Sequence, residues 1–133
     1  MNLLKRWQGT NPVTRVPTFV QMEAVECGAA SLAAILGHYG YWTTLEKLRV
    51  QTGVSRDGAN AGNLVKAARG FGLEARGVRV DADAALKLAP PFIAFWNMNH
   101  FVVVEGVQGN KVRLMDPASG PRKIEREDFE QSY

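Results

Sequence analysis

The chain has 133 residues, of which 46% are hydrophobic and 22% charged, a composition typical of one soluble globular domain and not of a disordered or fibrous chain. Its formal charge of +3 is too small, and its basic residues are too dispersed, to favour binding to nucleic acid. A single cysteine excludes an internal disulfide, and no apolar run reaches the roughly 18 to 20 residues that span a bilayer.

Two halves with different hydrophobic periods follow a short N-terminal arm. The arm is predicted over residues 1–16, where Pro12 and Arg15 fall in a stretch without periodicity, and one domain over residues 17–133. Helical patterns come first and strand patterns later, which predicts an α+β fold with an N-terminal helical half packed on a C-terminal antiparallel β-sheet. The predicted elements are helices over residues 27–39, 45–51 (capped by Thr43 or Thr44) and 63–69, then strands over residues 74–80, 92–96, 101–107 and 111–115.

The only cysteine, Cys27, opens the first predicted helix. Unpaired N–H groups and aligned peptide dipoles at a helix N-terminus stabilise a thiolate, the form of cysteine that attacks a carbonyl. A lone cysteine in a cytosolic protein is more often a small buried hydrophobic residue, so the neighbouring residues have to decide. Gln21 lies six residues upstream, where its amide could donate to an oxyanion, although a glutamine alone is usually a surface residue.

Two histidines, His38 and His100, are available as the base of a cysteine hydrolase. If the first helix is continuous, His38 lies about 16 Å from Cys27, at roughly 1.5 Å per residue, and is better explained as a packing or capping residue of the last turn. His100 precedes the apolar run of a predicted central strand, which is a rigid mount for a general base.

An acidic partner for His100 depends on how the last two predicted strands pair. A three-residue loop over residues 108–110 places Asp116 diagonally opposite His100 on the same face of the sheet, within reach of its side chain. A two-residue loop places them on opposite faces unless a bulge intervenes. Without such a partner, Asp116-Pro117 is equally typical of an ordinary strand end and turn.

Three segments of the chain, in this order, are similar to one known family: QMEAVECGAASL at residues 21–32, NHFVVV at residues 99–104 and DPASG at residues 116–120. The chain resembles the N-terminal peptidase domain of bacteriocin-exporting, peptidase-containing ABC transporters, which has a papain-like cysteine peptidase fold. The resemblance implies that Cys27 is the nucleophile and His100 the general base and acid. It further implies that Asp116 orients the imidazole and that Gln21 donates to the oxyanion.

The resemblance also implies a reaction, the removal of a leader from a ribosomally made precursor peptide after a Gly-Gly or similar small-residue pair, coupled to export. The implied partners are a precursor with a helical leader and the transmembrane and ATPase domains of the same transporter, at the cytoplasmic side of the bacterial membrane. No cofactor is implied for proteolysis, and ATP is expected only at a nucleotide-binding domain outside this chain. Most members of the family have aspartate before the cysteine, whereas this chain has Glu26. Glutamate at this position is associated with the branch of the family that handles ribosomal peptides with long leaders.

Two other classes of function stay open. One is a module that holds the leader without cutting it, although the degenerate members of this kind lack the cysteine that is present here as Cys27. The other is a different Cys-His-Asp acyl-transfer enzyme, such as a transglutaminase-like or amidase domain. Selectivity for glycine requires a channel too narrow for a β-carbon, and Gly28, Met98 and Asn99 are nominated for it by their proximity in the sequence alone.

Overall fold

The computed structural model of the chain describes residues 13–21, 26–53, 60–96 and 100–133. Within these ranges the elements are α1 Cys27–His38, α2 Leu45–Gln51, α3 Ala61–Gly70, α4 Ala82–Ala85, β1 Phe92–Trp96, β2 His100–Gln108, β3 Lys111–Asp116, β4 Gly120–Glu125 and α5 Arg126–Ser132. Four of these five helices precede the sheet, as the change of hydrophobic period predicts. The predicted cap Thr44 accepts a hydrogen bond from the Lys47 N–H, which fixes the start of α2.

Helix α1 is buried on nearly every side because its side chains are almost all small or aliphatic. It packs against β2 of the sheet and against α2. The packing is close enough that a Cβ atom added to Gly37 would lie 2.8 Å from the ring of Pro17. The helix ends before Gly40, whose φ of 88° lies in the left-handed region that favours glycine. A central, rigid helix thus carries the predicted nucleophile at its first residue.

The four strands form one antiparallel sheet in the order β1-β2-β3-β4, which makes β2 and β3 the central strands. Successive side chains of β2 point to opposite faces of the sheet. Phe101 and Val103 belong to the clusters that contain α1, whereas Val102 and Val104 pack in a cluster with Phe129 of α5. The sheet is therefore covered on both faces, which explains why β2 reads as a continuous apolar run.

A β-bulge at Glu105 attaches the N-terminal segment 13–21 to the sheet. Glu105 has no partner on β3 and is only 3% exposed. Its Oε2 accepts a hydrogen bond of 2.8 Å from the Val16 N–H, and its backbone oxygen accepts one of 2.7 Å from the Thr14 N–H. The last residues of the predicted arm thus contact the body of the domain.

The prediction of a strand over residues 74–80 is wrong. This stretch is irregular and pairs with no strand of the described chain. Its alternating pattern has another cause, since Leu73 and Ala75 pack on the α1 cluster while the intervening side chain is exposed. The Arg69 side chain donates to the Ala75 carbonyl at 2.8 Å, a bond that replaces ladder pairing there.

The sequence patterns did not predict α4, α5 or β4. Strand β4 contains Pro121 and several charged residues, which are poor strand formers. As an edge strand of the sheet, β4 tolerates Pro121, because a missing N–H costs little where no further strand pairs. Its pairing with β3 sets Gly120 opposite Asp116, and this contact shapes the site described next.

Candidate active site

Cys27 lies at the first residue of α1 and is 6% exposed. Its Sγ accepts a hydrogen bond of 3.4 Å from the Phe101 N–H, the second residue of β2. Burial by itself would raise the pKa of the thiol, but hydrogen bonds from the His100 side chain and the Phe101 N–H outweigh burial and lower the pKa of Cys27 below its ordinary value. The helix N-terminus and the start of the central strand β2 together therefore favour the thiolate.

His100 is the first residue of β2 and links the cysteine to an acid. Its Nε2 lies 2.6 Å from Asp116 Oδ1, so the other ring nitrogen, Nδ1, is left for the hydrogen bond with Cys27. The hydrogen bond to Asp116, and next the one to Cys27, raise the pKa of His100 to about 9 against the opposing effect of burial. Both shifts favour the thiolate form of Cys27 and the imidazolium form of His100.

Asp116 ends β3 and is almost completely buried. Its Oδ1 accepts from His100 and also from the Ala118 N–H at 2.9 Å, and its Oδ2 accepts from Arg122 Nη1 at 3.1 Å. Burial would raise the pKa of Asp116, but hydrogen bonds from His100 and Ala118 and the charge of the imidazolium outweigh it, so the pKa is lowered. The carboxylate stays ionised beside the imidazole.

The register that joins His100 to Asp116 arises differently from the prediction. Gln108 pairs with Lys111, so the loop has two residues, Gly109 and Asn110, and the prediction of three is wrong. The bulge at Glu105 then shifts the pairing by one residue. The shift restores the predicted diagonal, and the two side chains meet on one face, as required for a triad.

Gln21 is brought to this region through its backbone. Its N–H donates to the Pro117 carbonyl at 2.7 Å, which places it next to the residue that follows Asp116. Its side-chain Oε1 is buried and has no hydrogen-bond partner in the described chain. Within the described residues no hydrogen bond joins the Gln21 side chain to Cys27, so a role for Gln21 in binding an oxyanion is a proposal.

A scan against protein-family models matches residues 15–133 to the Peptidase C39 family. The chain belongs to the Peptidase C39 family. It is 37% identical over 134 residues to the colicin V secretion/processing ATP-binding protein CvaB of Escherichia coli, covering 100% of this chain and 18% of that protein. It is 33% identical over 121 residues to the transport/processing ATP-binding protein ComA of Streptococcus pneumoniae, covering 85% of this chain and 17% of ComA. The C39 chain therefore spans less than a fifth of each of these relatives.

Two solved structures resemble the C39 chain closely. One is a double glycine motif protease from an AMS/PCAT transporter in complex with a leader peptide, with 48% identity, a TM-score of 0.88, and coverage of 93% of this chain and 91% of that one. The other is the peptidase domain of Streptococcus ComA, a bi-functional ABC transporter, with 28% identity, a TM-score of 0.79, and coverage of 86% and 89%. These matches confirm the family resemblance, the α+β peptidase fold and the assignment as a cysteine peptidase domain.

Of the remaining nominated residues of this C39 domain, His38 lies apart from the triad, Gly28 adjoins Cys27, and the other two lie outside the described ranges. His38 is exposed in the last turn of α1, with its ring against Tyr39 at 4.8 Å, as expected for a residue without a catalytic role. Gly28 is buried beside Cys27. Met98 and Asn99 lie outside the described residues, so their nomination for a glycine channel stays a prediction.

Three charged residues near the C39 site have structural contacts that the sequence patterns did not predict. Glu26 is buried, and its Oε2 lies 3.7 Å from Arg49 Nε of α2. Arg122 reaches Asp116 from β4. The only available signal for Arg122 was its spacing, since a tight turn after Asp116-Pro117 returns the chain beside the acid within six residues.

The described ranges hold neither a cluster of potential metal ligands nor a long apolar helix. Across them, no group of three or more His, Cys, Asp or Glu side chains is arranged to hold a metal ion. No helix in the same ranges has the length and apolar character needed to cross a membrane.

Proposed function

We propose that this C39 domain removes the leader from a ribosomally made precursor peptide by cutting after a Gly-Gly or similar small-residue pair, coupled to export. The observation that carries the proposal is the hydrogen-bonded chain from Cys27 through His100 to Asp116, in a family of cysteine peptidases. The relative solved in complex with a leader peptide is a double glycine motif protease, and its 48% identity to this chain supports the same substrate class here.

In the proposed reaction, the Cys27 thiolate attacks the carbonyl carbon of the second small residue. The carbonyl oxygen becomes an oxyanion, and the Cys27 N–H and the Gln21 side-chain amide donate to it. His100 gives its proton to the nitrogen of the departing peptide, which leaves a thioester on Sγ. His100 then takes a proton from water, the hydroxide attacks the thioester, and the leader departs as a carboxylic acid. Asp116 holds the imidazole in the required tautomer throughout.

The proposed partners follow from the length of the relatives. The matching relatives are ATP-binding secretion and processing proteins more than five times as long as this chain, which supports transmembrane and ATPase domains in the same transporter. The peptidase would then act at the cytoplasmic side of the cell membrane. The reaction itself uses no metal and no organic cofactor, and ATP belongs to the nucleotide-binding domain.

The test is to incubate the purified domain with a double-glycine precursor from the same genomic neighbourhood and to measure the product masses. We expect two products, separated after the second small residue, and no product from Cys27→Ala. That variant should still bind the fluorescently labelled leader, as judged by anisotropy. A precursor with leucine at both glycine positions is the matched control and should stay intact.

The two alternative functions predict different masses for the precursor after incubation. A precursor that is bound by the parent domain and stays intact would indicate a module that only holds the leader. A gain of about one mass unit, with no backbone cleavage, would indicate deamidation of a side-chain amide and hence another acyl-transfer enzyme. Residual cleavage at full rate by Cys27→Ala would remove the cysteine from the mechanism.

A further inference from the structure

The two oxygens of the Asp116 carboxylate are held by different partners. Oδ1 has two donors, His100 Nε2 at 2.6 Å and the Ala118 N–H at 2.9 Å. Oδ2 has Arg122 Nη1 at 3.1 Å. The Asp116 side chain is 6% exposed and that of Arg122 is 43% exposed, so the arginine reaches from the surface of β4 to a buried acid.

Bonds to one oxygen alone do not fix the plane of a carboxylate, because the group can still pivot about that atom. A donor on the second oxygen removes this freedom. Arginine suits the task, since its guanidinium is planar and remains charged at any pH of interest. Its position is set by the sheet, where Arg122 pairs with Leu114, two residues before Asp116 on β3.

We propose that Arg122 is a positioning residue of this peptidase, which holds Asp116 so that Oδ1 stays on His100 Nε2. The inference rests on the proposed function, in which His100 must protonate the leaving nitrogen in a fixed orientation. Arg122 does not touch the reacting atoms in this scheme. It acts through Asp116, and a loss of Arg122 reaches the chemistry only by loosening the bond between Asp116 and His100.

The competing explanation is an exposed ion pair that contributes a charge and little else, as many surface pairs do. The two explanations predict opposite changes in the pKa of His100 when Arg122 is replaced. Removing a positive charge near the imidazolium would raise the pKa of His100. Loosening the bond to Asp116, which is the largest cause of the raised pKa of His100, would lower it. The charged groups that act on His100 in the described chain are Asp116 and Cys27.

The experiment compares the parent domain with Arg122→Gln and with Lys123→Gln. Lys123 is the exposed next residue of β4 and makes no ion pair within the described chain, so its variant loses the same charge without touching the site. Two readouts are taken, the kcat and KM for a double-glycine precursor and the pKa of His100 by NMR titration. The chain has only two histidines, and His38→Gln assigns the signals.

For Arg122→Gln we expect a fall in kcat of about tenfold, the order expected for a charge-assisted hydrogen bond from a half-exposed donor. We expect KM within about twofold of the parent and a lower pKa of His100. Arg122→Lys, which keeps the charge and can still donate a hydrogen bond but lacks the planar guanidinium, should recover part of both. Lys123→Gln should match the parent in both readouts.

A pKa of His100 in Arg122→Gln that is unchanged or raised overturns the proposal, whatever happens to kcat. A kcat within about twofold of Lys123→Gln overturns it as well. If the parent domain does not cut the precursor, the proposed function fails, and the NMR titration still decides whether Arg122 holds Asp116. Thermal unfolding of each variant establishes that the exposed substitutions leave the fold intact.

Discussion

The proposed active site has a sheet side, formed by His100 and Asp116, and a segment side, formed by Gln21, and the two are held in different ways. His100 and Asp116 stand at the ends of adjacent central strands, and the sheet pairing fixes their spacing. Gln21 stands on an irregular segment whose backbone N–H groups donate to the side chain and backbone oxygen of Glu105 and to the Pro117 carbonyl. Proton transfer therefore depends on regular secondary structure, whereas the proposed oxyanion donor depends on a few individual contacts.

This difference predicts which substitutions leave the neighbouring catalytic residues in place and which displace them. A residue within a paired strand keeps its position when one neighbour changes, because many ladder bonds act together. A segment with few anchors moves when any one of them is lost. Substitutions on the sheet side should affect chemistry through the triad alone, and substitutions far from Cys27 on the segment side should still reduce turnover.

The largest effect is expected on the sheet side. Asp116→Ala removes the group that fixes the tautomer of His100, and we expect kcat to fall by about 10³ to 10⁴, as for the orienting acid of other triads. Single-turnover cleavage of the precursor measures this effect. Asp116→Asn is the matched variant, and it should be nearly as slow because its amide cannot compensate the imidazolium charge. A loss smaller than tenfold in Asp116→Ala would contradict the triad.

A smaller effect is expected on the segment side. Gln21→Ala removes one proposed donor to the oxyanion and should lower kcat by about 10² to 10³ with little change in KM. Gln21→Glu keeps the size of the side chain and removes the N–H donor, so it should be equally slow. If Gln21→Ala retains a rate within about twofold of the parent, Gln21 has no part in stabilising the transition state.

The pH dependence of cleavage tests the sheet side again, and the expected change in rate is smaller than for the substitutions above. The active form needs a thiolate at Cys27 and a proton on His100. Activity should rise with pH through the lowered pKa of the cysteine and fall through about 9, where the imidazolium loses its proton, by about tenfold per further pH unit. The plot of kcat/KM against pH should therefore be bell-shaped, and a plateau that extends beyond pH 10 would contradict it. The two limbs describe the coupled pair.

The smallest effect is expected at the anchor of the segment. Glu105→Ala leaves the buried Val16 N–H without its acceptor, which should cost about 1 to 3 kcal/mol in the free energy of unfolding. Urea unfolding measures this cost, and Glu105→Gln, which keeps an acceptor oxygen, should lose less.

If the anchor also positions Gln21, Glu105→Ala should slow turnover severalfold in the parent and add nothing in a Gln21→Ala background. Equal losses of turnover in both backgrounds would show that Glu105 acts independently of Gln21, and no loss of turnover in the parent background would show that Glu105 serves stability alone.

Sequence patterns predicted the elements whose signals are local. The small residues after Cys27 and the apolar run after His100 define α1 and β2 almost to their observed ends. The sequence predicted Asp116 beside His100 from a strand register with a three-residue loop. The structure has a two-residue loop, and a bulge restores the same pairing. Glu105 in an apolar run is equally compatible with an exposed strand residue. The next residue, Gly106, is nevertheless a signal for the bulge, because an isolated glycine in a strand pattern often marks one and its φ of 136° favours glycine.

The missed features depend on tertiary partners. Residues 74–80 alternate like a strand, but strand formation needs a neighbour, and this stretch lies on α1 and α3 side chains instead. Strand β4 forms despite Pro121 because β3 supplies its pairing. Arg122 becomes significant only once that pairing exists. The predicted division into an arm over residues 1–16 and a domain over residues 17–133 stays a prediction.

The bulge at Glu105 also separates the two ends of the β2–β3 hairpin. The tip, Gly109-Asn110, is exposed, and a Cβ atom on Gly109 would have no atom within 4 Å. The end of β2 at Gln108, next to the tip, lies about 26 Å along the strand from His100, at roughly 3.3 Å per residue. Pairing on the catalytic side of the bulge is held by β1 as well as β3. Asn110 is therefore a suitable place to attach a fluorophore or a short tag while the triad stays undisturbed, whereas Gly109 has a φ of 64°, which favours glycine.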